Sequence, residues 1–146
     1  MNEKNSKINP ANIIKNQKYA VVATQGLDDL YTTLIAYYST DDLKNIYFVT
    51  SKNSKKFRNL INNPNVSLLI DDRKNKSSDL LNATAITAIG QAFELKDNLS
   101  KIINLYINKH PKLKKFIESP ESVLIDVKVD KYIFVNNFQN KNILNL

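Results

Sequence analysis

The sequence predicts a mostly β fold with flanking helices, a small antiparallel barrel of six or seven strands. Three observations predict it. Short apolar and β-branched runs recur along the chain, and polar turns separate them. One small helical pattern lies between the third and fourth runs, and a longer helical stretch precedes the last pair. Gly90 stands in the middle of a long strand pattern, where a glycine often marks the bend that curls a sheet into a barrel.

The first half of the chain contains a short helix and the first four strands. Asn9 and Pro10 are typical of a helix cap followed by proline at the first helical position. Gln25 to Asp29 reads as a turn, so the runs on either side of it are predicted to form a hairpin. The predicted elements are a helix from Pro10 to about Asn16 and strands from Tyr19 to Thr24, Tyr31 to Tyr38, Ile46 to Thr50 and Val66 to Ile70.

The second half begins with a polar surface loop from Asp71 to Leu81. Apolar residues at helical spacing later predict a helix, which His110 and Pro111 interrupt. Two final strand patterns flank Asp130 and Lys131 and are predicted to form a closing hairpin. The predicted elements are a strand from Ala83 to Leu95, a helix from about Asn98 to Asn108, one or two helical turns around Leu113 to Ile117, and strands from Val123 to Val129 and Tyr132 to Phe138.

Length and composition limit the class of protein. With 146 residues, 42% of them apolar, the chain predicts one folded domain over residues 1–146. The absence of cysteine excludes disulfides, thiolate catalysis and cysteine-ligated metals. There is no signal-peptide pattern and no apolar run of about 18 residues, so we expect a cytoplasmic protein without a membrane partner. The formal charge of +7 comes mostly from scattered lysines and is weak support for a nucleic-acid partner.

The stretch from Ile46 to Asp72 carries the most specific pattern in the chain. Between its two strands, Phe57 to Ile61 places apolar residues on one stripe of a helix of about two turns. Asn53 or Ser54 can cap the start of this helix. Pro64 ends it, because proline disfavours the helical conformation in the residue before it. The pattern is therefore strand, polar loop, short helix, strand.

Two lysines stand in the first turn of that helix. Lys55 and Lys56 meet free N–H groups and a partial positive charge there, which makes each lysine unfavourable by roughly 0.3 to 1 kcal/mol. A bound anion reverses the sign of this effect. With Ser51 and Ser54, the turn is a candidate cradle for a phosphate monoester. The alternative is that both lysines simply extend into water in a lysine-rich chain.

These residues resemble the signature of the FMN-binding split-barrel family, the group that includes pyridoxamine 5'-phosphate oxidase. Its pattern is a strand that ends in Thr, a Ser-basic-Lys turn, a helix, Asn-Pro and then Val-Ser-Leu. In this sequence the corresponding residues, without a gap, are Thr50, Ser54-Lys55-Lys56, Asn63-Pro64 and Val66-Ser67-Leu68. A weaker resemblance, in the order of strands and helices, extends from Tyr19 to about Phe138. It implies an antiparallel split β-barrel.

The resemblance also implies a site for FMN. Lys55 and Lys56 correspond to the family's phosphate contacts, with Ser54 in the same turn. Other residues correspond to positions that border the ribityl chain and the flavin ring: Thr32, Thr33, Leu34, Val49, Thr50 and Ser51. No catalytic residue is assigned, and no metal site is expected.

A homodimer is implied as well, because the family usually holds its flavin at a subunit interface. The strand around Thr84 to Thr87 would then be apolar and exposed in the monomer, although it could equally be core. The sequence departs from pyridoxamine 5'-phosphate oxidase itself, since it lacks basic residues from Tyr31 to Ala36, has no tryptophan and has no C-terminal Arg-x-His element. The resemblance therefore implies an FMN-dependent oxidoreductase whose small-molecule substrate is unidentified and is not expected to be a B6 vitamer.

The remaining polar features point to little chemistry of their own. His110 is the only histidine, so one chain can form neither a histidine cluster nor a Ser-His-Asp triad. Its Lys-His-Pro setting predicts a surface junction between helices. The acidic pairs Asp28-Asp29 and Asp71-Asp72 are typical of solvated turns. In a flavoprotein the cofactor carries the redox chemistry, so missing acid–base residues do not exclude an enzyme.

Two other functions stay open at this point. The main alternative is a flavin- or haem-binding module that carries or senses its ligand without turnover, with His110 or a tyrosine as the haem ligand. The other is a basic nucleic-acid-binding barrel that uses Lys52 to Arg58, although no recognised motif supports it. We therefore expect no nucleic-acid partner.

Overall fold

Seven strands form one antiparallel sheet in the computed structural model, which describes residues 9–137 and 140–146. Helices and one 3-10 turn, Pro111–Leu113, connect them. The strands are β1 (Tyr19–Gln25), β2 (Leu30–Ser39), β3 (Asn45–Ser51), β4 (Asn65–Asp71), β5 (Thr84–Glu94), β6 (Ser122–Asn136) and β7 (Asn140–Asn145). The helices are α1 (Pro10–Asn16), α2 (Lys55–Asn62), α3 (Asp79–Asn82), α4 (Leu99–Lys109) and α5 (Lys114–Glu118).

The sheet closes into a barrel of six strands because β3 pairs with β6 as well as with β2. The strand order is β3-β2-β1-β4-β5-β6, and β7 is added beyond β6. Side chains alternate between the two faces of each strand, and those on the inner face form the core. Among the fully buried residues are Val22, Phe48, Leu68 and Ile86. The predicted antiparallel barrel with flanking helices is confirmed.

The end of the chain differs from the prediction. The expected hairpin across Asp130 and Lys131 is wrong, because residues Ser122–Asn136 form one continuous strand of 15 residues. Ile89 pairs with Lys131 while the next residue of β5 pairs with Val129, so Asp130 is an extra residue in β6. This arrangement is a β-bulge, which bends a strand without reversing it. Phe138, the predicted end of the last strand, lies outside the described residues, and β7 was not predicted.

The predicted bend at Gly90 is confirmed, and it lies opposite this bulge. A Cβ atom at Gly90 would lie 2.1 Å from the carbonyl oxygen of Lys128 and 3.0 Å from the Cα atom of Val129. Both neighbours are main-chain atoms and cannot move aside easily. Glycine therefore permits the close approach of β5 and β6 that turns the sheet.

Two helices cover parts of the barrel at the positions that the sequence predicted. The buried side chains of α1 include Ile14, whose carbonyl oxygen accepts a hydrogen bond of 2.6 Å from the Tyr37 hydroxyl. Ile102 of α4 packs with Tyr47 of β3 and Leu124 of β6 in a second, smaller hydrophobic cluster. Because α4 follows β5 and returns to β2 and β3, it places its C-terminal end beside α1. No helix in the described part of the chain is long and apolar enough to cross a membrane.

One row of outward-facing apolar side chains crosses neighbouring strands. Val21 of β1 pairs with Leu34 of β2 and with Leu69 of β4, and Leu69 pairs with Thr87 of β5. Leu34 and Leu69 are 70% and 37% exposed, so this row is open to solvent in the single chain.

Residues 84–87 were predicted to be exposed in the monomer, and this prediction is wrong for two of the four side chains. Thr84 and Ile86 are buried in the barrel, whereas Ala85 and Thr87 are half-buried on the outer face.

A cationic cavity where the barrel splits

The candidate site lies where β2 and β3 separate. These strands pair only from Tyr37 to Ser39 of β2, so the earlier part of β2 diverges from the later part of β3. An open cavity of about 520 Å³ lies there, with Leu34 and Ile35 on one side and Val49 and Thr50 on the other. Binding sites for small molecules and cofactors commonly have volumes of about 300 to 1,000 Å³. The cavity is therefore large enough for a cofactor.

The Tyr106 side chain joins α4 to β2 beside the cavity. Its hydroxyl donates a hydrogen bond of 2.8 Å to the carbonyl oxygen of Ala36 on β2. Burial raises the pKa of Tyr106 to about 12, although the backbone of Val49 on β3 acts in the opposite direction. Tyr106 therefore remains a neutral donor at physiological pH, and it lines the cavity from α4.

The first turn of α2 lies beside this cavity, and its cap is the predicted one. Ser54 is the N-cap residue, and its Oγ accepts a hydrogen bond of 3.0 Å from the N–H of Phe57. The hydroxyls of Ser54 and Thr50 lie 2.9 Å apart. Their mutual hydrogen bond uses only one of the two hydroxyl protons, so this pair can donate the other to a ligand. The remaining N–H groups of the first turn have no acceptor within the helix.

The two lysines of this turn lie in different environments. Lys55 forms an ion pair of 2.7 Å with Asp29, and its Nζ lies 4.7 Å from the centre of the Tyr31 ring. Lys56 lines the cavity, and its Nζ lies 3.4 Å from the Thr50 hydroxyl oxygen. No carboxylate in residues 9–137 or 140–146 lies within ion-pair distance of Lys56. Burial lowers the pKa of Lys56 because the charged form is partly desolvated.

Basic residues from other elements add to the charge of the cavity. Its lining includes Lys18, Lys109, His110 and Lys112, and none of the residues that line it is Asp or Glu. The Lys109 ammonium donates hydrogen bonds of 2.7 and 3.2 Å to the carbonyl oxygens of Gln17 and Lys15, at the C-terminal end of α1. Burial lowers its pKa to about 8. The positive potential of the cavity therefore favours an anionic ligand.

His110 lies in the cavity wall and is only 7% exposed. Its Nε2 atom lies 2.8 Å from the carbonyl oxygen of Tyr37, and its ring centre lies 5.0 Å from that of Tyr106. The predicted surface junction is therefore wrong. The sequence did contain a signal, because Ile102, Tyr106 and His110 follow one another at intervals of four and share one buried helix face.

The structure brings together only part of the predicted site. Leu34, Val49, Thr50 and Lys56 line the cavity, and Ser54 is bonded to Thr50. The remaining predicted residues, which do not line the cavity, are Thr32, Thr33, Ser51 and Lys55.

Each of these four has a different environment. The Thr32 side chain is exposed, and the buried Thr33 hydroxyl has no hydrogen-bond partner among the described residues. Ser51 accepts a hydrogen bond of 3.1 Å from the Asn53 N–H, while Lys55 is held by Asp29.

The sequence matches the family model described as pyridoxamine 5'-phosphate oxidase over residues 10–136. The chain belongs to the pyridoxamine 5'-phosphate oxidase family. The family recognised from the Ser54-Lys55-Lys56 turn and Asn63-Pro64 is thereby confirmed. No curated protein sequence matches the chain.

Solved structures of the pyridoxamine 5'-phosphate oxidase fold resemble this chain over most of its length. General Stress Protein 26 from Bacillus anthracis str. Sterne is 27% identical, with a TM-score of 0.72 over 92% of this chain and 94% of that one. A haem-binding protein from Mycobacterium smegmatis is 17% identical, with a TM-score of 0.82 over 92% of this chain. This chain spans only 55% of that protein. An FAD-binding protein from Mesorhizobium loti is 16% identical, with a TM-score of 0.62 over 84% of this chain and 88% of that one.

These neighbours include both a flavin-binding and a haem-binding protein. The range of ligands found on this fold thus matches the predicted FMN and its haem alternative. The fold alone does not choose between them, because unrelated ligands can occupy sites on one fold.

Proposed function

We propose that this protein binds FMN in the cationic cavity and acts as a flavin-dependent oxidoreductase on a small molecule. The observation that carries the proposal is Lys56. Its partly buried ammonium group lines the cavity without a carboxylate partner in the described residues. Burying an ammonium group costs free energy unless an anion or several acceptors compensate for it, so a ligand phosphate would stabilise this arrangement.

The phosphate end of the proposed site is the first turn of α2. The Lys56 ammonium, the free hydroxyl proton of the Thr50 and Ser54 pair, and the unpaired N–H groups of the turn are all donors. These groups suit the three acceptor oxygens of a phosphate monoester. Lys55 contributes less in this proposal, because Asp29 already neutralises it.

The apolar part of the cavity lining suits a planar ring. Apolar side chains from three elements, Leu34, Val49 and Phe116, line it together with the aromatic ring of Tyr106. Aromatic and aliphatic walls with a few polar groups are typical of sites for flat cofactors. FMN, when bound, supplies hydride and electron transfer, and the protein binds and orients it.

A second copy of the chain completes the proposed site. Leu34 belongs both to the cavity lining and to the exposed row that contains Val21 and Leu69. An apolar row on a sheet face favours burial against another protein surface. In a homodimer formed through this row, the partner would therefore cover the open side of the cavity, as the family resemblance implies.

Haem is the competing ligand, and the geometry of His110 disfavours it as an axial ligand. Its Nε2 atom is bonded to the Tyr37 carbonyl, which leaves Nδ1 as the nitrogen that could reach iron. Nδ1 is adjacent to the ring carbon that carries Cβ, so a flat macrocycle at this nitrogen would approach the main chain. The Tyr106 hydroxyl is likewise engaged by Ala36.

Absorption spectra of the purified protein test the proposal. After excess FMN is added and the unbound fraction is removed, we expect flavin bands at stoichiometric occupancy. NAD(P)H-dependent bleaching of those bands would then separate an oxidoreductase from a carrier. A parallel titration with haemin provides the comparison. No retained flavin, together with a Soret band at stoichiometric haemin, would replace the FMN proposal with haem binding.

A further inference from the structure

The hydrogen bond of His110 fixes which of its nitrogen atoms remains free to accept a hydrogen bond. The Tyr37 carbonyl oxygen can only accept a hydrogen bond, so Nε2, 2.8 Å away, must carry the proton. In the neutral ring Nδ1 then holds a lone pair and acts as an acceptor. No donor in the described part of the chain bonds to Nδ1, and His110 lies in the cavity wall.

The groups around His110 keep its ring neutral. Burial lowers the pKa of His110 most strongly, the Tyr37 carbonyl raises it, and the nearby charges of Lys109 and Lys18 lower it further. Lys112 also lines the cavity, and no carboxylate does. Tyr106, packed against the ring, is a neutral phenol. His110 is therefore a neutral side chain with a free acceptor nitrogen in a lining that is rich in cations.

We propose that His110 Nδ1 accepts a hydrogen bond from the flavin ring and so helps to determine which ligands the cavity selects. The inference rests on the proposed FMN site. An oxidised isoalloxazine has a single ring N–H, at N3. With the phosphate at Lys56, His110 offers this N–H an unbonded ring nitrogen in the cavity wall. A ligand that lacks the N–H leaves Nδ1 without a partner in the bound state.

The test compares FMN with N3-methyl-FMN, in which the ring N–H is replaced by N–CH₃. Two variants separate the two nitrogens of His110. In His110→Gln, the side-chain amide can still donate to Tyr37, but the acceptor near Nδ1 is lost. In His110→Asn, the amide oxygen lies near the position of Nδ1, but the donor to Tyr37 is lost. Thermal unfolding of each variant reports any loss of structure separately.

The preference for FMN is its affinity divided by the affinity of N3-methyl-FMN. We expect this ratio to be about tenfold larger in the wild type and in His110→Asn than in His110→Gln, which corresponds to one buried hydrogen bond. In the wild type this preference should fall at acid pH, below the range in which an ordinary histidine titrates, because protonation converts Nδ1 into a donor. In His110→Asn it should not change with pH. Protonation of the ligand phosphate affects both affinities equally, so its effect cancels in their ratio.

Two results would overturn the inference in distinguishable ways. If the wild type binds FMN but His110→Gln keeps the same preference within about twofold, His110 only supports the cavity wall. If the wild type binds neither ligand, the proposed function itself is wrong, and the inference fails with it.

Discussion

The Lys56 ammonium lies 3.4 Å from the Thr50 hydroxyl oxygen, while the Lys55 ammonium beside it in sequence lies 2.7 Å from a carboxylate oxygen of Asp29. The difference follows from helix geometry, since consecutive residues of a helix point about 100° apart. One lysine faces the hairpin between β1 and β2, and the other faces the cavity. The turn therefore separates a lysine with an internal partner from one that remains available to a ligand.

Removing the helix cap should destabilise the phosphate end of the site. In Ser54→Ala, the Phe57 N–H and the Thr50 hydroxyl both lose their partner, so we expect the free energy of unfolding to fall by about 1 to 2 kcal/mol. Ser51→Ala is the matched control, because the Ser51 hydroxyl accepts a hydrogen bond only from the exposed N–H of Asn53. This variant should change the free energy of unfolding by less than about 0.5 kcal/mol. Urea unfolding monitored by circular dichroism measures both. Equal losses in the two variants would contradict the assignment of Ser54 as the cap.

The Tyr106 hydroxyl should contribute to holding β2 beside α4. Tyr106→Phe leaves the Ala36 carbonyl without this donor, and we expect a loss of about 1 to 2 kcal/mol in the free energy of unfolding. Tyr38→Phe is the control, since Tyr38 is half-buried against the same helix and its hydroxyl has no hydrogen-bond partner among the described residues. The same urea experiment applies. A Tyr106→Phe variant as stable as Tyr38→Phe would show that the cavity wall does not depend on this bond.

Lys109 should make stability rise with pH in the mildly alkaline range. Its pKa is lowered to about 8 in the folded protein by burial, against about 10.4 in an unfolded chain. Between these values the unfolded state binds more protons, so the free energy of unfolding increases as the pH rises. Below pH 8 both states are protonated and the contribution is constant.

Unfolding measured between pH 7.5 and 9.5 checks this prediction, since this range spans the folded pKa of Lys109. Lys109→Met should show a smaller increase than the wild type, with the remainder coming from Lys56, and Lys112→Met, at an exposed position of the same cavity, should retain the wild-type increase. Identical slopes for the wild type and Lys109→Met would mean that Lys109 is not responsible.

Light scattering during size-exclusion chromatography should detect the proposed dimer. Leu69→Lys places a charge in the middle of the apolar row and should produce a monomer. Leu27→Lys changes a side chain that is 93% exposed at the turn between β1 and β2, and we expect it to remain dimeric. A monomeric wild type, or a dimer that tolerates Leu69→Lys, would contradict the interface.

The elements governed by local chemistry were predictable from the sequence. The cap at Ser54 and the stop before Pro64 set the ends of α2 within one or two residues, because both act through neighbouring backbone groups. Gly90 marked the bend because a glycine inside a strand pattern is itself a signal of a bulge or a close backbone approach. The prediction of a turn at Asp130 and Lys131 was wrong, because a polar pair of this kind occurs both in turns and at β-bulges. Only the pairing of β6 with β5 on both sides of Asp130 distinguishes a bulge from a turn.

The site was only partly predictable because its contacts join distant elements. Nothing in the spacing of Lys55 and Lys56 reveals that Asp29 pairs with the first of them, since the contact depends on how the β1 and β2 hairpin lies beside α2. The contact of Lys109 with the end of α1 likewise spans more than ninety residues and involves only backbone acceptors. His110 could have been assigned to the buried face from its spacing with Tyr106, as described above.

The most direct measurement of the central claim compares the affinities for FMN and riboflavin in the wild type, Lys56→Met and Lys55→Met. The two ligands differ only in the phosphate. We predict that Lys56→Met weakens FMN by about 10- to 100-fold, the range for a hydrogen bond to a charged group, and riboflavin by less than about threefold. Lys55→Met should change FMN affinity much less, because Asp29 already pairs with Lys55. Equal weakening of FMN and riboflavin in Lys56→Met, or a larger FMN loss in Lys55→Met, would contradict the assignment of Lys56 as the phosphate-binding lysine.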